Sequence, residues 1–256
     1  MWKQDKFAQN WQRSRHQFAS ETLPKSAKLE LRAEGLEEEA LAANKETVRL
    51  VPRWSGGHIQ LGRLLWGKGL RQEAIAAYEK AIRLMRLPSD DYGGDYFTAR
   101  NELAWILATS PDDKLRDPQR AVELAREAVA AQPKSAAYWK TLGWAQFRAG
   151  NWPAAVTALE KVKELGSAGD SLEWFPLAMA HWRLGNKPAA RKYYDQAVQW
   201  MEKDARKNDQ LRRDKVATYR DKHAAYGQTL GPDLKNVDLR HLRAEAEQVL
   251  GIQKKN

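Results

Sequence analysis

The chain contains no cysteine. That absence excludes a disulfide framework, a thiolate nucleophile, and any zinc or iron–sulfur site built on thiolates. Long apolar runs are missing too: no stretch approaches the roughly eighteen uninterrupted apolar residues of a membrane-spanning helix. The opening segment "MWKQDKFAQNWQRSRHQFAS" is basic but has no apolar core of signal-peptide length. Together these absences predict a cytoplasmic protein with no membrane insertion. Catalytic signatures are equally scarce. His16, His58, His181, His223 and His241 form no HExxH and no other metal-ligand spacing. There is no phosphate-cradling loop, no GxGxxG after a strand and no GxSxG elbow, and "SGGH" at 55–58 lacks the serine context of an elbow. Asp90, Asp91 and Asp95 cluster in "LPSDDYGGDYF", but no glutamate stands at the twelfth position of a calcium loop, so the stretch reads as a solvated turn. The sequence therefore predicts no enzyme, no metal and no cofactor.

What is present is enough for a folded core. Hydrophobic residues make up 43% and charged residues 30% of 256 positions, and both are spread along the chain rather than set apart in a tail. The formal charge is +10, yet acids and bases are interleaved, as in "VELAREAVAAQPK" and "EKDARKNDQLRRDK". Such mixtures describe solvated helix faces; they permit an acidic partner or nucleic acid without requiring either.

The chain also repeats itself. Residues 55–88, 136–167 and 171–203 carry one pattern three times: an apolar–small pair (Leu61-Gly62, Leu142-Gly143, Leu177-Ala178), then a glycine (Gly69, Gly150, Gly185), then an alanine five residues on (Ala74, Ala155, Ala190). A fourth copy spans 97–135, with Leu103-Ala104 as the pair and "TSPDDKLRDP" in place of the glycine turn. Asp117 before Pro118 predicts a helix start there, with an aspartate cap and proline at the first helical position. A fifth, degenerate copy is expected at 21–54, within an N-terminal helical segment of 1–54, because Gly35, Ala40 and Pro52 fall 34 residues before Gly69, Ala74 and Arg86. Apolar residues at three- and four-residue intervals, as in Ala74, Ala77, Tyr78, Ala81 and Ile82, make one face of an amphipathic helix. Each copy thus reads as a helical hairpin, closed by a glycine able to adopt a left-handed conformation. Small residues let its two helices approach, and the aromatics fill the joints between hairpins. After residue 203 the pattern predicts helices near 209–226 and 237–250, with a break at 227–232. Residues 204–256 then act as a cap over the exposed end of the array.

This pattern resembles the tetratricopeptide repeat, with Trp139, Leu142 and Gly143 matching its first half and Ala74 with Tyr78, or Ala190 with Tyr194, its second. Gln146 and His181 stand where that family carries tyrosine, which assigns His181 to packing. Copies starting at 55, 97, 136 and 171 are 42, 39 and 35 residues apart, so insertions separate them. The resemblance implies an all-α, right-handed solenoid of antiparallel helix pairs. Residues 103–129 and 170–185 are similar to bacterial tetratricopeptide arrays that often follow serine/threonine kinase domains. That similarity implies, as one alternative, a regulatory segment of a kinase system.

In that family the first helix of each repeat lines a concave groove. Carried over position by position, the groove receives Ile59, Arg63 and Trp66, then Asn101 and Trp105, then Lys140, Trp144, Phe147 and Arg148, then Phe175, Met179, Trp182 and Arg183. Aromatics at the places of Trp66, Phe147 and Trp182 commonly pack, so Trp105 and Trp144 are the stronger ligand-facing candidates. The implied function is a scaffold that binds extended acidic or amphipathic peptides, their carboxylates meeting Arg63, Lys140, Arg148 and Arg183 while their apolar side chains rest on indole faces. Asn101 and Lys140 fit part of a chaperone-type carboxylate clamp, but the full set is missing. An alternative from the same residues is single-stranded RNA binding, which needs a continuous positive stripe and exposed tryptophans. An enzyme accessory role would need convergent ionisable groups in a closed pocket.

Overall fold

The computed structural model describes residues 25–85, 93–166, 169–214 and 239–252. Helices account for nearly all of them, and no strand occurs among the described residues. In chain order they are α1 (Lys25–Leu50), α2 (Ser55–Gly67), α3 (Arg71–Leu84), α4 (Gly93–Thr109), α5 (Pro118–Ala131), α6 (Ala136–Arg148), α7 (Trp152–Glu164), α8 (Ser171–Arg183), α9 (Lys187–Asp214) and α10 (Leu239–Leu250), with one 3-10 turn at Asp113–Leu115. The pairs α2/α3, α4/α5, α6/α7 and α8/α9 pack most extensively and coincide with the four repeats read from the sequence.

Three of the four hairpins close in the same way. Gly69, Gly150 and Gly185 have φ of 77°, 78° and 79°, the left-handed region where a side chain is strained. In each turn the residue after the glycine donates to a carbonyl five residues back: Leu70 to Leu65, Asn151 to Gln146, and Asn186 to His181. The glycine amide itself bonds three residues back, which completes a Schellman cap and satisfies the helix's last carbonyls. The second repeat closes differently. Asp117 accepts from the Arg120 amide at 3.0 Å with Pro118 at the first helical position, the start expected from "DP".

Small residues set the spacing inside each pair. A Cβ added at Gly62 would lie 2.8 Å from the Tyr78 ring, and one at Gly143 would lie 2.5 Å from Leu159 Cγ. Ala74, Ala121, Ala155 and Ala190 on the opposing helices are wholly buried. Between pairs, α4 packs on α6 and α6 on α8, while extensive packing of one second helix on the next is absent among the described residues. The first helices from α4 to α8 therefore form the tighter, inner layer.

The chain ends depart from the sequence pattern. Gly35 lies inside the unbroken helix α1, so residues 25–50 supply one helix packed on α2 rather than the two-helix degenerate copy. A glycine permits a turn without compelling one, and α1 runs through Gly35 unbroken. Helix α9 runs on to Asp214, past the repeat boundary at 203. The C-terminal helix appears at Leu239–Leu250 and ends at Gly251, whose φ is 65°. The expected break at 227–232, the carboxy-terminal part of the 209–226 helix, most of the "LPSDDYGGDYF" turn and residues 1–24 lie outside the described residues.

Candidate peptide-binding groove

The inner layer brings the nominated residues onto one face, but it seals many of them. Trp144 is 0% exposed and Met179 0%, and Ile59, Trp66, Trp105, Phe147 and Phe175 are also buried. Trp105 and Trp144 meet edge to face with centroids 6.4 Å apart, and Trp144 meets Phe147 at 6.1 Å, so a chain of rings joins α4 to α6. The two tryptophans read as ligand-facing are thus joints between repeats.

Trp144 shows how the joint is specified. Pro176, inside α8, has no N–H, so the carbonyl of Leu172 four residues earlier loses its helical donor. The Trp144 indole N–H fills that vacancy at 2.6 Å. A buried indole and a buried carbonyl, each costly alone, satisfy one another across the repeat boundary.

The cations are paired in the same sense, each reaching one repeat or more along the array. Arg63 on α2 donates through Nε to Glu102 on α4 at 2.9 Å. Lys140 on α6 lies 2.9 Å from both Asp170 and Glu173 at the start of α8. Asp170 simultaneously caps α8 by accepting from the Leu172 and Glu173 amides. Burial alone pushes the Lys140 ammonium down, but the charges and hydrogen bonds of Asp170 and Glu173 outweigh it and hold its pKa above the ordinary lysine value. Arg148, near the end of α6, forms a fork with Glu245 of α10, with Nη2 to Oε2 at 2.9 Å. Its guanidinium also lies over the Trp144 and Phe147 rings at 5.4 and 5.6 Å.

The nominated groups that reach solvent are fewer. Arg183 is exposed, with its guanidinium 5.9 Å from the Trp152 ring. Trp182 is half-buried beneath the Lys187 ammonium at 5.2 Å. Asn101 is half-buried, and its Oδ1 is enclosed without a partner. The residues missed in the sequence are the carboxylates Glu102, Asp170, Glu173 and Glu245. For Glu102, Asp170 and Glu173 the signal was the repeat period itself, since an acid one repeat beyond a groove cation is placed to meet it; Glu245, 97 residues from Arg148 and outside the repeats, carried no such signal.

Tetratricopeptide repeat family models match residues 56–84, 112–170 and 177–202, on the helix pairs just described. These stretches are tetratricopeptide repeats. Among solved structures, the tetratricopeptide array aligns with MamA at 23% identity and a TM-score of 0.51, over 72% of this chain and 98% of that one. It aligns with MamA from Desulfovibrio magneticus RS-1, residue 41 to the end, at 20% identity and a TM-score of 0.53, covering 71% and 97%. YrrB, described as a TPR protein with an unusual peptide-binding site, aligns at 20% identity and a TM-score of 0.51, covering 66% and 80%. At these identities the likeness is one of fold. The comparison with curated proteins returned no match. No described helix is long and apolar enough to cross a membrane.

Proposed function

We propose that this chain is a non-catalytic interaction scaffold whose inner face grips a peptide segment of a protein partner. The observation carrying this reading is the layer of first helices, in which α4 packs on α6, α6 packs on α8 and Arg63 of α2 is paired with Glu102 of α4, a largely polar face that runs over several repeats. Such a surface suits a ligand that runs along several repeats and gains affinity from each. YrrB, described as a peptide-binding TPR protein, supports the reading by analogy of fold. Asn101, Trp182 and Arg183 are the nominated residues with surface to offer, while the buried Trp105 and Trp144 join the helices that carry them.

The test is affinity capture from a cell lysate with mass spectrometry, repeated after nuclease treatment. A triple variant, Asn101→Ala, Trp182→Ala and Arg183→Glu, is compared with Lys163→Glu on the exposed side of α7. The reading expects nuclease-resistant partners retained by Lys163→Glu and lost by the triple variant, with equal helicity in both. Partners lost equally from both variants, or from neither, would overturn it.

A further inference from the structure

Helix α10 does not sit where a terminal cap belongs. In this array each first helix packs on the second helix of the preceding pair: α4 on α3, α6 on α5, α8 on α7. A helix closing the stack would continue that rule and lie along α9. Instead α10 lies mainly along α8, the inner helix of the last repeat, and touches α9 less. It also reaches back past α8 to α6, where Glu245 meets Arg148 across 97 residues of sequence. A helix that contacts inner helices of two successive repeats is lying across the inner face.

The contact has the anatomy of a binding site. Leu242, Ala246 and Leu250, spaced by four, are buried against the array, flanked by half-buried Leu239, Val249 and Ile252. The carboxylate of Glu245 enters a receptor made by Arg148, whose side chain is 12% exposed and held over two aromatic rings. The fork donates to the Glu245 carboxylate through both terminal nitrogens, and its Nε, which has no partner, leaves a donor to spare. At the other edge the Tyr194 hydroxyl donates to Glu247 at 2.9 Å, and Arg243 steadies that carboxylate from within α10. Helix α10 is strongly amphipathic, the form of ligand that helix-in-groove recognition reads through anchors at i, i+4 and i+8.

We propose that α10 is a displaceable ligand held in cis, and that the partner of the inner face is an amphipathic helix carrying its pattern. That pattern is a leucine, a carboxylate three residues later, a small residue directly after it, and a leucine four further on. Residues 215–238 lie between α9 and α10 in the chain, so α10 is a ligand segment carried by the same polypeptide as the face it covers. A segment carried on the same chain competes through its effective concentration, which an incoming helix must overcome. This inference rests on the inner face being the binding surface and adds what binds there and what guards it.

The experiment uses the full chain and a fluorescein-labelled peptide with the sequence of residues 237–252 as probe, read by anisotropy. Leu242→Asp with Glu245→Lys should release α10 while leaving array helicity intact. The released chain should bind the probe at least tenfold more tightly than the unaltered chain. Adding Arg148→Glu should abolish that gain, and a probe carrying Glu245→Arg should restore it, because the ion pair is re-formed with reversed signs. Equal probe binding by the released and unaltered chains overturns the proposal. So does loss of array helicity on release, which would make α10 a structural cap; the milder Glu245→Gln must then leave α10 amide exchange unchanged, whereas a displaceable helix exchanges faster there with α8 unaffected. Either failure leaves the inner-face reading to the capture experiment, which does not involve α10.

Discussion

Replacing Gly143 with alanine adds one methyl group and should destabilise the protein, against the usual direction of that change in a helix. A glycine inside a helix costs about 1 kcal/mol relative to alanine, so propensity alone predicts a gain of that size. Here the new Cβ would lie 2.5 Å from Leu159 Cγ and 2.7 Å from Cδ2. Leu159 is 1% exposed and has nowhere to swing. Overpacking a filled core costs about 1–3 kcal/mol, and contacts this short belong in the upper part of that range, leaving a net loss of about 1–2 kcal/mol. The control is Gly67→Ala in the last turn of α2, where nothing lies within 4 Å and a gain of up to about 1 kcal/mol is expected. Urea unfolding followed by circular dichroism at 222 nm gives both values. A double-mutant cycle sharpens the test. Leu159→Ala alone should cost about 2–5 kcal/mol, but in that background Gly143→Ala meets no branched carbon and recovers its propensity gain, a coupling of about 2–3 kcal/mol. If Gly143→Ala is as stable as the parent, or the two changes add without coupling, small residues are not what sets the helix spacing.

Lys140→Ala strands Asp170 and Glu173, the latter 3% exposed, and should cost about 3 kcal/mol in unfolding free energy rather than act on binding alone. Because the folded pKa of Lys140 lies above its unfolded value of 10.5, this contribution is fully present below pH 10.5 and fades only as pH rises through the higher folded value, so the deficit of the variant should stay constant from pH 6 to pH 9. His181 behaves oppositely: burial lowers its pKa from 6.5, with Glu160 opposing weakly, so its contribution is present above pH 6.5 and is lost as pH falls toward the folded value. Exchanging it for phenylalanine, which keeps a ring against Tyr193, should flatten the decline in melting temperature between pH 7.5 and pH 5; an unchanged slope would assign that decline to other groups.

The hairpins were legible because each rests on local chemistry. Leu142-Gly143, Gly150 and Ala155 specify a close approach, a left-handed turn and its opposing contact within fourteen consecutive residues, and "DP" at 117–118 marks a helix start by itself. Gly35 looked equivalent by spacing alone, but a glycine inside a helical sequence does not by itself end the helix, and residues 25–50 continue through it as one helix. The groove was legible in position and not in exposure. Periodicity places Trp105, Trp144 and Met179 on the inner helices; whether a ring faces solvent depends on how near the next inner helix lies, which is set by pairs of residues a whole repeat apart. The bond from Trp144 to Leu172 illustrates this. It requires Pro176 to free a carbonyl in the following repeat, and neither residue announces the other in sequence.

That same inter-repeat pairing bears on what the inner face can hold. Single-stranded RNA needs ring faces on which bases stack, each worth about 1–3 kcal/mol, and a run of unneutralised cations following the backbone. The inner face offers little of either: Trp66, Trp105 and Trp144 are buried, and Arg63, Lys140 and Arg148 already meet Glu102, Asp170 with Glu173, and Glu245. The net charge of +10 therefore does not form a stripe there. A paired cation is still useful to a different ligand. Exchanging one carboxylate for another at Arg148 requires no new burial of charge, so a protein helix bearing a glutamate in the right place loses little on entry, whereas a phosphate chain would have to break several such pairs without matching their spacing. The chemistry of the occupied face therefore favours a polypeptide over a nucleic acid.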